Sequence, residues 1–202
     1  MPPPAEPPIL ASASAVRGRL LAAAGIEVQQ MASGADEEEL KAELGGLDHD
    51  SLALALAEAK AMAVSAGHPE RLVLGADQLL VMGDRRFDKP RDRSQAAAHL
   101  AAFSGRAHEL VTAAVAVRGG DVLWRRADRA RIHVRPLSSV TIGAYLDVVG
   151  PAALTSVGAY QFEGRGAQLF ERVAGDFFTV LGLPLLPLLE FLRSEGIPEW
   201  AC

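Results

Sequence analysis

Cysteine is nearly absent from this 202-residue sequence: the one that occurs, Cys202, is the last residue, so no internal disulfide can form and no cysteine-rich metal site can be built. A chain so poor in thiols suits a reducing cytoplasm. Aromatic residues are also scarce, at 5%, whereas Ala, Leu, Val and Gly are abundant, a composition that favours helices packed on a sheet over a small all-β barrel. Long apolar runs are missing, since nowhere do about eighteen apolar residues follow one another, and no membrane-spanning helix is expected. Met1 to Pro8 is proline-rich and lacks the basic region and apolar run of a signal peptide, so the expectation is a soluble, cytoplasmic protein. Positive charge is in deficit as well. A formal net charge of -5 argues against broad, sequence-independent nucleic-acid binding, which rests on counterion release at a basic surface, while leaving room for a small anion in a local basic pocket. Lysine is the rarest basic residue: 17 Arg stand against three Lys, at 41, 60 and 89. A lysine in such a chain either falls there by chance or marks a place that needs a compact ammonium rather than a planar guanidinium.

Half of the residues are apolar, enough for one good core or at most two small ones, and the first expectation is one globular domain over 9–202 behind a proline-rich tail, 1–8. The class is α/β or α+β. Ile9 to Ala11 reads as a strand leading through Ser12 and Ser14 into a helix from about Ala15 to Ala24, stopped by Gly25. Glu27 to Gln30 reads as a strand, and Asp36 to Glu39 opens a polar loop or helix. A helix capped by Asp50 or Ser51 runs to Gly67 with Lys60 in its second half. The apolar strand Leu72 to Leu74 is expected to end at Gly75, Ala76, Asp77, placing an acid at a strand exit, where open α/β sheets put their chemistry. Leu79 to Met82 continues as a strand to a turn at Gly83, Lys89 before Pro90 is extended or in a turn, and a helix follows from Ser94 to Phe103. His108 to Val117 and Val122 to Val134 form a long hairpin about Gly119-Gly120-Asp121. Beyond it come a helix capped by Ser138 or Ser139, a glycine-punctuated stretch 158–166, a strand Leu169 to Val173, and a helix from about Leu183 to Glu195.

Ser12, Ser14 and Arg17 lie on a strand-to-helix turn, where unpaired backbone N–H groups and the helix dipole favour phosphate and an arginine can add a bidentate grip. The plainer alternative is a serine N-cap beside a solvated arginine. Asp77 with one of Asp36, Glu37, Glu38 or Glu39 can hold Mg²⁺ or Mn²⁺, which in phosphate sites takes one or two carboxylates and fills its shell with water and substrate oxygens; taken alone, the acidic run reads first as a solvated helix face. Lys60 and Lys89 can neutralise phosphate charge or orient water, and Glu163 can accept hydrogen bonds from the Watson–Crick edge of a guanine-like base. The five histidines, His108 among them, show no metal-ligand spacing and read as structural. Walker A, GxGxxG, GxSxG, HExxH and EF-hand patterns are absent.

Together these pieces resemble the Maf family of nucleoside-triphosphate pyrophosphatases over Leu10 to about Leu192. The family pattern L-A-S-x-S-P-R-R stands here as Leu10-Ala-Ser-Ala-Ser-Ala-Val-Arg17, followed by Gly25-Ile26; V-D-E as Ala35-Asp36-Glu37; L-A-x-x-K-A as Leu56-Ala-Glu-Ala-Lys60-Ala; G-A-D as Gly75-Ala-Asp77; and G-K-P as Asp88-Lys89-Pro90. Ser104-Gly-Arg-Ala-His108, Val111-Thr112, Arg135-Pro-Leu-Ser138, Gly158-Ala-Tyr160 and Val180-Leu-Gly-Leu-Pro184 continue in family order.

The resemblance implies an α/β fold with an elongated mixed sheet flanked by helices, two lobes and a central cleft, similar to the inosine-triphosphate pyrophosphatases. It implies hydrolysis of a (d)NTP, ordinary or modified, to the monophosphate and pyrophosphate with a divalent cation. Asp77 would accept a proton from water, bind the metal, or both; Glu37 would help hold the metal; Lys60, Lys89, Ser12 and Arg17 would stabilise phosphate charge. A homodimer is compatible with it. At the three positions that tune base choice the chain is mixed: Gln78 and Glu163 resemble the branch acting on 7-methyl-GTP, whereas Val16 carries neither that branch's tryptophan nor the arginine of the dTTP/UTP branch. A carboxylate at Glu163 suits a purine with N–H donors better than thymine or uracil. The competing expectation is a nucleotide-binding regulator of cell division or septum formation that needs no catalysis.

Overall fold

In the structure, a computed structural model that describes residues 6–197, strand β1 (Ile9–Ala11) is buried along its whole length. Met1 to Ala5 of the proline-rich stretch and Cys202 lie outside the described residues. An all-apolar strand is what a central parallel position requires, with both faces covered. β1 pairs in parallel with β2 (Gln29–Met31) on one side and with β3 (Val73–Met82) on the other. Helix α1 (Ala15–Ala23) connects β1 towards β2; α2 (Glu37–Glu43) and α3 (His49–Ser65) connect β2 to β3. Antiparallel β4 (Arg85–Phe87) folds back on β3, and α4 (Arg93–Phe103) leads to the hairpin of β5 (Ala107–Arg118) and β6 (Asp121–Val134). Gly119 and Gly120 have φ of 60° and 86°, the paired left-handed conformation of a tight hairpin turn. Then follow α5 (Ser139–Val149), two 3₁₀ turns, β7 (Phe170–Ala174), α6 (Phe177–Val180) and α7 (Leu185–Ser194). The seven-stranded sheet runs β2-β1-β3-β5-β6-β7 with β4 on β3, parallel at one end and antiparallel at the other, so the chain is α/β with a mixed sheet flanked by helices.

The chain divides into two compact units. The first takes residues through Gln78, Thr112–Asp128 and everything from Gly182; the second takes Leu79–Val111 and Arg129–Leu181. In the second unit α4, α5 and the strands bury one apolar cluster that includes Leu80, Phe87, Phe103, Leu110, Ile132 and Tyr160. No described helix is long and apolar enough to cross a membrane.

Four sequence expectations are corrected. The strand expected to end at Asp77 is continuous through it: β3 runs ten residues and Asp77 stands in its middle. Gly75 is no strand stop there. A Cβ at that position would meet the Ala57 carbonyl oxygen at 2.0 Å, so the glycine lets α3 lie directly on the strand. β2 begins two residues late, because Gly25 (φ 78°) and Ile26 close α1 in a Schellman motif, Ile26 N–H donating to Leu21 O and Gly25 N–H to Ala22 O. α3 is capped by Asp48, whose Oδ1 accepts from Asp50 N and Ser51 N, rather than by Asp50 or Ser51. The last helix starts at Leu185, after Pro184.

Candidate active site

The turn from β1 into α1 is built by serines. Ser14 caps the helix, its Oγ accepting from Arg17 N at 3.4 Å, and Ser12 Oγ accepts from Ser14 N at 3.2 Å. Arg17 points inward. It is 9% exposed and donates from Nη1 to Ser12 Oγ (3.0 Å) and Ala76 O (3.0 Å), and from Nε to Gly182 O (2.7 Å). The solvated-arginine alternative is thereby overturned. Burial pushes the guanidinium pKa down, and the fields of Asp77 and Glu37 pull it back up. By gripping the carbonyl of Ala76, Arg17 braces β3 immediately before Asp77.

Asp77 is buried at 5% exposure, and Lys60, on the face of α3 that meets β3, at 6%. Lys60 Nζ donates to Asp77 Oδ1 at 2.6 Å and reaches Glu37 Oε1 at 2.7 Å, so one ammonium stands between two carboxylates. Of the four acids at 36–39, Glu37 is the one joined to this group. Asp36 caps α2 instead, its Oδ1 accepting from Glu38 N (3.1 Å) and Glu39 N (3.0 Å). Asp77 Oδ2 is buried and has no hydrogen-bond partner. A buried carboxylate oxygen left in that state costs free energy unless something else supplies a proton or a positive charge.

Gln78 follows on β3, half-buried, with Nε2 donating to Thr112 Oγ1 at 2.9 Å. Val16 is half-buried in the first turn of α1. Ser12, Arg17, Glu37, Lys60, Asp77 and Gln78 thus belong to one unit, and the first five are drawn into one network of hydrogen bonds, ion pairs and charge. Lys89 and Glu163 belong to the second unit, both exposed: Lys89 between β4 and α4, and Glu163 in the segment between the two 3₁₀ turns. Two further residues support the site. Thr112 is the one hydroxyl in the apolar run 110–117 and is fully buried; Gly182, φ 99°, presents its carbonyl to Arg17. The polar break in an apolar strand was the available signal for the first; nothing local signals the second.

Among the described residues no group of three or more His, Cys, Asp or Glu is placed to hold a metal. Glu37 and Asp77 meet on the Lys60 ammonium, and the buried, unpartnered Oδ2 of Asp77 is a donor that fits a hard divalent cation of the kind that completes its shell with water and phosphate oxygens.

The mixed α/β sheet thus carries a buried acid held by a lysine, beside a braced strand-to-helix turn. The chain belongs to the Maf family: residues 7–195 match the family described as Maf-like protein. It is similar to the 7-methyl-GTP pyrophosphatase of Mesorhizobium japonicum, 51% identical over 190 residues that cover 93% of this chain and 96% of that protein. The 7-methyl-GTP pyrophosphatase of Rhizobium meliloti is 50% identical over the same shares of both chains. The nucleoside triphosphate pyrophosphatase of Rhodopseudomonas palustris is 51% identical over 193 residues, 95% of each chain.

Proposed function

We propose that this protein hydrolyses nucleoside triphosphates to the monophosphate and pyrophosphate, that residues 9–202 act as one pyrophosphatase domain, and that a purine, modified or not, is its preferred base. The observation that carries the reading is the Asp77 carboxylate: Oδ1 is fixed by Lys60 and the buried Oδ2 is left without a partner. Water attacks the α-phosphorus, its proton passes to Asp77, the bond from the α-phosphorus to the bridging oxygen breaks, and pyrophosphate leaves. Lys60 holds Asp77 in one orientation and supplies positive charge beside it. Ser12, with the turn it closes, and Lys89 bind phosphate oxygens; Arg17 acts mainly through the backbone it grips. Glu37 and Asp77 would hold Mg²⁺ or Mn²⁺, which when bound lowers the pKa of water and screens phosphate charge. Glu163, Gln78 and Val16 are the positions that select the base, the Glu163 carboxylate accepting from N–H donors on a guanine-type edge. The cytoplasm, where nucleotides are available and no disulfide is needed, is its place of action.

The test is pyrophosphate release from GTP, 7-methyl-GTP, ITP, UTP, dTTP and CTP with Mg²⁺ or Mn²⁺. Activity that needs the cation and falls by roughly 10²–10⁴ in Asp77→Asn is expected. Silence across that panel in folded protein would sink the reading and favour a regulator of cell division that binds nucleotide without cleaving it.

A further inference from the structure

The segment that carries Glu163 folds around one of its own rings. Tyr160 is 5% exposed, with its ring so close over Gly158 that a Cβ there would fall 2.2 Å from Cε1. The residue between them, Ala159, has φ 58°, a left-handed conformation that a side-chain-bearing residue adopts only when its surroundings impose it. Ser156 Oγ donates to Tyr160 O at 2.5 Å, and Gly164 N donates to Gln161 O at 3.2 Å. Phe170 packs edge-on against the Tyr160 ring at 4.8 Å.

The single polar atom of that buried ring, Oη, has its partner outside the segment. It lies 2.6 Å from Nε2 of His108, on β5, which is itself 2% exposed and packed against Phe103 at 4.7 Å. Phenylalanine and leucine would fill the same space without the cost of desolvating a hydroxyl and an imidazole. A buried polar pair that is retained fixes one geometry where apolar packing would admit several.

We propose that His108 and Tyr160 are positioning residues for base selection: their hydrogen bond ties the 158–163 segment to β5 and so sets where the Glu163 carboxylate stands. This rests on the reading that Glu163 meets the base. Removing the hydroxyl in Tyr160→Phe keeps the ring and the fold but frees the segment to shift. The expected result is a KM for GTP raised roughly 2–10-fold, the worth of one hydrogen bond, with kcat nearly unchanged and UTP less affected. His108→Leu should do the same, and His108→Gln, whose amide can still reach the hydroxyl, should restore part of the preference.

The experiment is a cycle of Tyr160→Phe, Glu163→Gln and the double variant, reading kcat and KM for GTP and UTP separately. Support is a GTP-to-UTP ratio that falls in each single variant and falls no further in the double. If Glu163→Gln shifts the ratio and Tyr160→Phe does not, or if Tyr160→Phe lowers kcat equally for both nucleotides, the pair is merely structural and the inference is overturned while Glu163 keeps its role. If Glu163→Gln leaves the ratio unchanged, the reading of Glu163 fails; Tyr160→Phe then decides alone, a shifted ratio keeping the anchored segment as the base reader and an unchanged one overturning both.

Discussion

One lysine between two carboxylates is the centre of the molecule at the scale of single residues. Replacing it in Lys60→Met removes the ammonium that joins Asp77 and Glu37, and kcat should drop by roughly 10²–10³, as for loss of a preorganised charged donor, with the overall fold retained by circular dichroism. A second prediction belongs to His108. Burial, and then the neighbouring His133, push its pKa down from 6.5 to about 4, and Tyr160 holds its Nε2. The folded state therefore stays unprotonated while the unfolded chain takes up a proton below pH 6.5, so stability is lost as pH falls from 6.5 towards 4 and this contribution levels off below. The loss from this residue reaches about 3 kcal/mol, and His108→Gln should flatten the slope of denaturant stability over that window. Asp77, Lys60 and Glu37 were legible as a set through the family pattern; their spacing alone left four acids open, and it is the ion pair with Lys60 that singles out Glu37, while Asp36 is taken up in capping α2. The inward turn of Arg17 was not legible, because its main acceptor, Gly182, is 165 residues away.

At the scale of elements, helices and hairpins follow their local signals closely: Ser14 and Ser138 cap as expected, and the Gly119-Gly120 turn falls in place. What local signals could not tell is which glycine breaks a strand and which lets a neighbour approach. Gly75 is of the second kind, and it sets how closely the helix bearing Lys60 lies to the strand bearing Asp77. Gly75→Ala must push α3 away, since its Cβ would meet Ala57 O at 2.0 Å and Ala61 Cβ at 2.9 Å. Overpacking of this kind costs typically about 1–3 kcal/mol, and here activity should fall further than stability, because the helix that moves carries the lysine. Thermal melts and pyrophosphate release on the same preparation check this.

On the scale of the whole chain, three of the four boundaries between the two compact units fall inside strands, β3, β5 and β6, so each of these strands is covalently shared. A single calorimetric transition, with equal calorimetric and van't Hoff enthalpies, is the expected outcome if 9–202 is one domain; two resolved transitions would count against it. In the Asp77→Asn variant, which should bind without turnover, GTP at about 100 times its Kd should add about 2.7 kcal/mol. The sheet order was not readable in advance, because strands far apart in sequence become neighbours only through the packing of the helices between them.

The same sheet order leaves β2 and β7 at the two ends of its path, with short β4 also paired on one side only, and both ends are poor templates for another molecule. β2 offers three residues, Gln29–Met31, and β7 carries outward Glu171 and Arg172, so neither presents a long, flat apolar edge. Concentrated solutions of this protein should therefore resist strand-to-strand aggregation, a property owed to how its sheet is finished rather than to how its core is filled.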